Sequence, residues 1–297
     1  MRVTRLQNYR QTTNQIRNLR EREAMALQRI ASGRELLRVS DDPDNAVNAQ
    51  RTRSVMSRIE ARVNRATSVE SRLAAYDVAL SGVGEIVGRL HQLGVQMAND
   101  TYNNNDRLIA SEEVQQLLES LRAIANSREE DQYIFSGTDS TTETIDVGYT
   151  YQGNNVKQEV DLGNPGAPST RVEMSLTGDE VFFGAGGGTD IITATSDFVT
   201  ALQTNDLAGI QTAVGEFLGG VDQTAAFRAR IGATMNRVAD IGDRNQGQKI
   251  REAETLSGYV DADIAETATE LAQAQFGLQA AMTATSRISE ISLLDFL

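Results

Sequence analysis

Three carboxylates at Asp41, Asp42 and Asp44 form the clearest candidate for metal binding in the sequence. No further oxygen ligand stands at the spacing of a calcium loop, which argues against a Ca²⁺ site. The carboxylates surround Pro43, a residue favoured in the first turn of a helix, and Asp44 would lie near the positive end of that helix. We therefore interpret the cluster as a helix start capped by Ser40 or Asp42, and predict no bound metal.

A glycine-rich run at residues 184–189 is the candidate for phosphate binding. Phosphate loops of the P-loop type carry a lysine after the glycines, and this run has none. The apolar strand that should precede the loop is also short. The run is therefore predicted to be a flexible connector.

Nucleophilic and acid–base catalysis has few residues to use, since the chain has no cysteine and one histidine, His91. No second histidine or thiol can join His91 in a metal site, so it is interpreted as structural. Hydrolysis by two carboxylates stays formally possible, but the chain has no tryptophan to stack on a sugar ring. We predict that the protein is not an enzyme and binds no cofactor.

The composition favours long helices packed in narrow seams over one large globular core. Hydrophobic residues make up 40% of the 297 residues, whereas aromatic residues make up 5% and there are three prolines. The sequence shows neither a secretory signal peptide nor a stretch of the length that crosses a membrane. If the protein leaves the cell, we expect it to do so without the general secretory route.

Charge is unevenly distributed along the chain, whose net charge is −13. Residues 1–65 hold fourteen arginines against seven acidic residues (+7), whereas residues 251–297 hold two arginines against eight acidic residues (−6). Ends of opposite charge are suited to pairing with each other or with neighbouring copies. Nucleic-acid binding by the arginines is the competing interpretation, but no aromatic platform or recognised motif accompanies them.

Both ends of the chain carry apolar residues at helical spacing, and we assign the assembly interface to them. The N-terminal members are Leu6, Tyr9, Ile16, Leu19, Leu27 and Ile30, and the C-terminal members are Leu271, Leu278, Ile288, Leu293, Leu294, Phe296 and Leu297. The C-terminal pattern predicts one long amphipathic helix over residues 253–297, buried to its end. Neither stripe buries enough area alone, so each should need a partner.

The middle of the chain begins with an unbroken seam of three- and four-residue steps over residues 59–97. The seam predicts a helix on the order of 60 Å long. Before it, Gly33 can end the N-terminal helix. After it, a turn cluster at residues 101–106 should return a helix antiparallel to the first, ending near Asp131.

Alternating apolar residues then predict strands around residues 145–151, 156–162 and 172–176. The insert that contains them, residues 131–230, is acidic, with fourteen acidic against four basic residues (−10). Helical patterns resume at residues 191–202 and 207–218, and a return helix begins beyond Ala225.

The predicted architecture is nested: helix, long helix, strand-rich insert, long helix, helix. The fold class is mainly α with a small α+β insert, and the N- and C-terminal segments form a long antiparallel bundle or coiled coil. We divide the chain into a terminal coiled-coil domain (1–40 and 254–297), a helical rod domain (41–135 and 225–253) and an outer strand-rich domain (136–224).

Short motifs near both ends carry a family likeness. Residues 27–34 (LQRIASGR, with Ser32 and Gly33) and 39–43 (VSDDP, with Ser40, Asp41, Asp42 and Pro43) resemble the N-terminal signature of the bacterial flagellin family. Residues 261–271 and 292–297 are similar to its C-terminal region, and YIFSG at residues 133–137 looks like its exit from the helical domain. The likeness covers roughly residues 1–137 and 225–297.

The resemblance implies a non-enzymatic building block of the flagellum, secreted through the flagellar type III export apparatus without a cleaved signal. The Asp-Asp-Pro form and the Asp-Phe-Leu ending resemble the members at the junction of hook and filament. The implied partners are hook-associated protein 1, flagellin, further copies of the chain in a ring and an export chaperone, with no nucleic acid and no membrane. A filament flagellin is the alternative, and periodicity alone would also permit a cytoplasmic coiled-coil adaptor.

Overall fold

The computed structural model describes residues 2–163 and 170–294, and within them the chain forms seven helices and two small antiparallel sheets. The helices are α1 (Arg2–Ser32), α2 (Pro43–Met97), α3 (Asn104–Ala125), α4 (Gly178–Phe182), α5 (Ile191–Thr204), α6 (Leu207–Val260) and α7 (Ile264–Leu294). The strands are β1 (Arg128–Glu129), β2 (Gln132–Tyr133), β3 (Glu159–Asp161) and β4 (Arg171–Glu173). The predicted mainly α fold with a small strand-containing middle is confirmed.

The chain divides into two compact units. The terminal unit comprises Met1–Arg58 and Gln248–Leu297, and the central unit comprises Ile59–Gly247. The terminal unit holds 15 basic and 14 acidic residues (+1), whereas the central unit holds 13 basic and 27 acidic residues (−14). The three-domain division of the sequence analysis stays a prediction.

The seam of α2 lies at the centre of the central unit. Eleven of its twelve predicted positions between Ile59 and Met97 are buried, and the remaining one, Arg62, is half-buried. This pattern confirms the predicted helix, because only a continuous helical period places all of these positions on one buried face.

Helices α3 and α6 both pack antiparallel to α2. The contacts with α3 join early residues of one helix to late residues of the other: Arg89 with Glu113 (2.7 Å), Gly82 with Ile124, and Met97 with Arg107. The contacts with α6 follow the same rule: Asp77 with Arg228 (3.0 Å), Val87 with Gly220, and Gly94 with Val214. The predicted return of the chain alongside the long helix is therefore confirmed.

Aromatic residues fill the core of the central unit. Tyr76, Phe135 and Phe182 are fully buried and stack edge to face, with ring centroids 5.2 Å apart in each successive pair. The Tyr76 hydroxyl donates a hydrogen bond to the carbonyl of Ile134. Burial raises the pKa of this hydroxyl, so the tyrosine stays neutral and serves packing.

The strands are shorter than the alternation predicts. Strands β1 and β2 form a hairpin, as do β3 and β4. The stretch predicted as a strand at residues 145–151 forms one isolated bridge between Ile145 and Tyr151. Its middle is a tight turn with Tyr149 at φ +61°, and Val147 is left exposed.

A cluster of ion pairs connects β4 with Lys157, α4 and α6. Lys157 Nζ lies 2.9 Å from Glu173 and 2.8 Å from Glu180, and Arg230 Nη2 lies 2.8 Å from Glu173. Desolvation raises the pKa of Glu173, but the hydrogen bonds from Lys157 and the charge of Arg230 outweigh it and the pKa is lowered overall. The carboxylate of Glu173 is therefore stabilised in its charged form.

Two predicted helix boundaries are wrong. Helix α3 starts at the predicted turn, where Asn103 accepts from the backbone amides of Asn105 and Asp106, but it ends at Ala125 and not near Asp131. The residues beyond it form the β1–β2 hairpin, whose turn places Glu130 and Asp131 at positive φ. Likewise, the helix that begins at Leu207 does not stop at residue 218 but continues to Val260.

The glycine-rich run at residues 184–189 forms a hydrogen-bonded turn and not an unstructured connector. The amide of Gly188 donates to the carbonyl of Gly184 (2.9 Å), and the amide of Thr189 donates to Oε1 of Gln223 (2.6 Å). Because Gln223 belongs to α6, its side chain fixes the run to that helix. Within residues 2–163 and 170–294, no helix combines the length and the apolar character needed to cross a membrane.

Candidate assembly interface

Helices α1 and α7 pack against each other along the terminal unit. They run antiparallel, since Leu19 meets Gly277 and Arg29 lies 3.5 Å from Glu270. A Cβ atom added at Gly277 would lie only 3.1 Å from Cδ2 of Leu19, so the glycine permits the close approach of the two helices. The predicted pairing of the N- and C-terminal segments is confirmed.

The two connectors that lead into this pair are joined by backbone hydrogen bonds. Helix α1 ends at Ser32, and Gly33 follows at φ +67° as a helix terminator. Arg34 and Asp261 form an antiparallel bridge, beside which the amide of Glu35 donates to the carbonyl of Val260 (2.8 Å). The bridge holds the start of α7 at the end of α1.

This bridge overturns the prediction of a single helix over residues 253–297. Helix α6 ends at Val260 and α7 starts at Ile264, with three residues between them. Asp263 caps the new helix, because its Oδ1 accepts from the amides of Ala265 (2.8 Å) and Glu266 (3.2 Å). The apolar period continues through the break, which is why periodicity alone did not reveal it.

The acidic cluster caps and orders the start of α2, as predicted. Asp42 precedes Pro43 and its Oδ1 accepts from the amide of Asn45 (3.0 Å). Asp41 accepts from the amide of Arg38 (2.8 Å), and Ser40 lies beside Asp41 with its hydroxyl 3.5 Å from that carboxylate. The family motif at these positions therefore has a local structural role.

The interface residues that are described lie on the half-covered stripe between α1 and α7. Ile16, Leu19, Ile30, Leu271 and Leu278 are half-buried, whereas Leu27 is 47% exposed. The side chains of Leu6, Tyr9, Ile288, Leu293 and Leu294, and Phe296 and Leu297 altogether, lie outside the described residues. The structure thus places Leu19 against α7 and leaves all of the described members at least partly exposed, and their role in assembly stays a prediction.

Sequence reasoning missed several residues that shape this pair. Ala26 and Ala274 are its most deeply buried apolar side chains among the described residues, at 2% and 5% exposure. Arg29 pairs with Glu35 at 2.9 Å as well as with Glu270. The spacing of Leu19 and Ala26, seven residues apart, is the signal that would have placed the alanine on the seam. The ion pairs are partly exposed, so each adds at most about 1 kcal/mol.

A groove of about 460 Å³ runs along one side of the pair. Its apolar lining comes from Leu19, Met25 and Ala26 of α1 and from Ala274 of α7. Arg22, Arg29, Glu270 and Gln273 form its polar border, with two positive charges and one negative charge. Two helices alone cannot bury apolar stripes on all sides, so this surface is chemically suited to receive a further helix.

Comparison with known proteins matches both ends of the chain. The model for the bacterial flagellin N-terminal helical region matches residues 3–140, and the model for the bacterial flagellin C-terminal helical region matches residues 214–297. The two matches contain α1 to α3 and most of α6 with α7. They leave the interior of the acidic insert unmatched.

Individual relatives extend the similarity over the whole chain. Flagellar hook-associated protein 3 of Escherichia coli is 22% identical over 99% of this chain and 99% of its own. A flagellin of Listeria innocua is also 22% identical, over 94% of this chain and 92% of its own. A flagellar junction protein of Legionella pneumophila shares the fold with a TM-score of 0.54 at 15% identity, covering 63% of this chain and 98% of its own.

The matched helical regions include the structural features described above. The Gly33 terminator and the Asp42 cap fall within the N-terminal region, and the bridge residue Asp261 and the close-approach residue Gly277 fall within the C-terminal region. Together the two regions cover most of the chain, and the helices they describe pair as antiparallel partners. The chain belongs to the bacterial flagellin family.

Proposed function

We propose that this chain is a structural protein of the bacterial flagellum that joins the hook to the filament. The observation that carries the proposal is the similarity to hook-associated protein 3 of Escherichia coli, which spans 99% of both chains. That similarity includes the middle region, which lies outside both family models. It also covers a larger share of both chains than the match to the Listeria innocua flagellin does.

A filament flagellin is the alternative function. Identity does not separate the two, since the Listeria innocua flagellin is also 22% identical. The more complete end-to-end match favours the junction protein. So do Asp42-Pro43 and the ending Asp295-Phe296-Leu297, which resemble junction members of the family.

The surface of the terminal unit supports an assembly role. Its helices expose large apolar side chains, including Met25, Leu27, Ile264, Phe276 and Met282. Such residues favour association when neighbouring subunits remove them from water. We assign this contact to the predicted interface residues of α1 and α7, and we place the rod and outer domains of the three-part division outside it.

Export through the flagellar apparatus fits the same terminal helices. Few buried groups hold α1 to α7, so burial against neighbours would supply much of the free energy that orders them. We infer that these helices are exported unfolded and order on assembly. The proposed partners are hook-associated protein 1 on the hook side, flagellin on the filament side, further copies in a ring, and an export chaperone before secretion.

The proposed role requires no catalysis. The sequence holds no cysteine and one histidine, and the functional surface is a helix pair, not a cleft with converging polar groups. We therefore place the protein among structural components and not among enzymes.

Deletion of the gene, followed by electron microscopy of hooks, tests the proposal. A junction protein predicts hooks without filaments and flagellin released into the medium, with both defects reversed by the intact gene. Loss of filaments without released flagellin would favour the flagellin alternative. Normal filaments on the deletion strain would exclude both flagellar roles.

The location of the assembly contact has its own test. Removal of residues 292–297 should leave the central unit folded but prevent incorporation into sheared flagella, because it deletes the apolar ending of the chain. Circular dichroism of the secreted or purified variant checks the fold. A truncated protein that still joins hook to filament would remove the ending from the interface.

A further inference from the structure

The groove between α1 and α7 has properties that limit what can occupy it. It holds about 460 Å³, which is within the usual range of protein pockets. Leu19, Met25, Ala26 and Ala274 give it an apolar lining, and Met25 is 50% exposed there. Its polar border consists of Arg22, Arg29, Glu270 and Gln273, with Arg29 lying 3.5 Å from Glu270. An apolar or aromatic side chain is therefore the best occupant, and a ring would also lie close to guanidinium groups.

Phe276 presents such a ring on the same helix pair. It lies on α7 and is 77% exposed, whereas Phe135, Phe182, Phe198 and Phe217 are fully buried in the central unit. Helical geometry turns Phe276 away from the buried Ala274 by about 200°, since successive residues advance by about 100°. Phe276 therefore points away from the groove of its own chain.

We propose that Phe276 of one copy enters the groove between α1 and α7 of a second copy. This inference rests on the proposed function, since it specifies how copies in a ring contact each other. The incoming α7 approaches a groove bordered by the arginines of α1. The helices α1 and α7 that form the groove together hold eight basic and five acidic residues (+3), whereas the incoming α7 holds one basic and three acidic residues (−2). This charge complementarity selects a second copy's α7 as the occupant.

The contact is directional. Phe276 and the groove are different surfaces, so each copy can give a phenylalanine to one neighbour and receive one from the other. Such heterologous contacts generate closed rings or helical arrays, in contrast to isologous contacts, which close as dimers. The arrangement therefore suits a protein that assembles side by side with its own copies.

Cysteine cross-linking tests the contact directly, because the natural chain has no cysteine. Purified Met25→Cys protein, carrying a tag that increases its mass, is mixed with purified Gln279→Cys protein, oxidised mildly and separated on a non-reducing gel. Gln279 is exposed and lies one helical turn from Phe276, so this variant keeps the phenylalanine ring. The matched control replaces Gln279→Cys by Val147→Cys, since Val147 is also exposed but lies in the central unit. All three positions are on the surface, and circular dichroism confirms that the variants are folded.

The proposal predicts more Met25–Gln279 heterodimer than Met25–Val147 heterodimer. Equal amounts overturn it, and so does preferential cross-linking of Gln279→Cys with itself, which would indicate an isologous α7–α7 contact. As a second measurement, Phe276→Ala should weaken association between copies roughly 30-fold, as loss of an aromatic anchor does. Val147→Ala should leave association unchanged, and an equal loss from both variants would contradict the contact.

These results are separable from those that test the junction role. Cross-linking between purified copies does not depend on the hook, and the phenotype of the gene deletion does not depend on Phe276. Normal filaments on the deletion strain would reject the junction role, and the cross-linking result would still test the contact between copies. Bare hooks without the cross-link would retain the junction role and reject this contact.

Discussion

The terminal and central units of this chain bury their apolar residues to very different degrees. The central unit encloses Tyr76, Phe135 and Phe182 completely, and α2 contributes a buried seam over residues 59–97. Among its described residues, the terminal unit buries few apolar side chains, and two of them are the small residues Ala26 and Ala274. Its Phe276 is exposed to solvent. The central unit therefore has its own apolar core, and the difference supports the proposal that neighbouring molecules complete the terminal unit.

Charge separates the same two regions. The central unit carries −14, so copies repel each other through that surface, whereas the terminal unit carries +1 with opposite signs on its two chain segments. Close association between copies is therefore electrostatically easiest through the terminal unit. The region with the poorer core is also the region best suited to assembly.

The largest expected difference in stability comes from replacing one phenylalanine by alanine in each unit. Phe135→Ala should destabilise the central unit by about 3–5 kcal/mol, because it leaves a cavity beside Tyr76 and Phe182. Phe276→Ala should change the stability of the free chain by less than about 0.5 kcal/mol, because the ring is exposed. Urea denaturation followed by circular dichroism measures both, and comparable losses would contradict the contrast in burial.

A smaller effect is expected where the terminal unit does have a close contact. Gly277→Val should destabilise the α1–α7 pair by about 1–3 kcal/mol, because the new side chain would overlap Leu19. Gly258→Val is the matched control, since no atom lies within 4 Å of a Cβ built there. Limited proteolysis should cut α1 and α7 faster in the first variant only. Equal cleavage of both variants would show that Gly277 is not needed for close packing.

The pH dependence of the β4 charge cluster should be smaller still. The pKa of Glu173 is lowered from its ordinary value of 4.5, so its contribution to stability is complete above that pH and is lost as pH falls through the lowered pKa. The pKa of Lys157 is raised, so the lysine stays charged throughout this range. The loss should be under about 1 kcal/mol, because the pair is partly exposed.

Acid denaturation of the natural chain and of Glu173→Gln tests whether stability falls with pH in this way. The variant should lose stability near neutral pH and show a weaker dependence on pH below 4.5. An identical acid profile for the two proteins would mean that the cluster does not stabilise β4. The terminal unit offers a comparison, because Arg29→Ala there removes two ion pairs that are also partly exposed.

Much of this fold could be predicted from local sequence. The α2 seam could be predicted because its steps of three and four residues continue without interruption. The helix boundaries at Gly33 and Asp42 could be predicted because helix termination and capping depend on nearby residues. The pairing of the two termini followed from matching stripes and opposite charges. These features require no knowledge of distant contacts.

The errors arose where tertiary contacts decide the structure. The helical pattern predicted over residues 207–218 continues through Gly220 in the structure. A Cβ at Gly220 would lie 3.1 Å from Val87 and 3.3 Å from Ile191, so that glycine serves close packing inside α6. The break at residues 261–263 depends on pairing with Arg34, more than two hundred residues earlier in the chain. The groove could not be predicted from local sequence either, because its lining comes from both ends of the chain.

Hydrogen exchange of the free chain and of assembled flagella tests the central claim most directly. In the free chain, amides of α1 and α7 should exchange much faster than those along the α2 seam, because few buried contacts protect them. On assembly, α1 and α7 should become protected while the α2 seam changes little. Equally slow exchange of α1, α7 and the α2 seam in the free chain would contradict the account, because the terminal unit would then be complete without its neighbours.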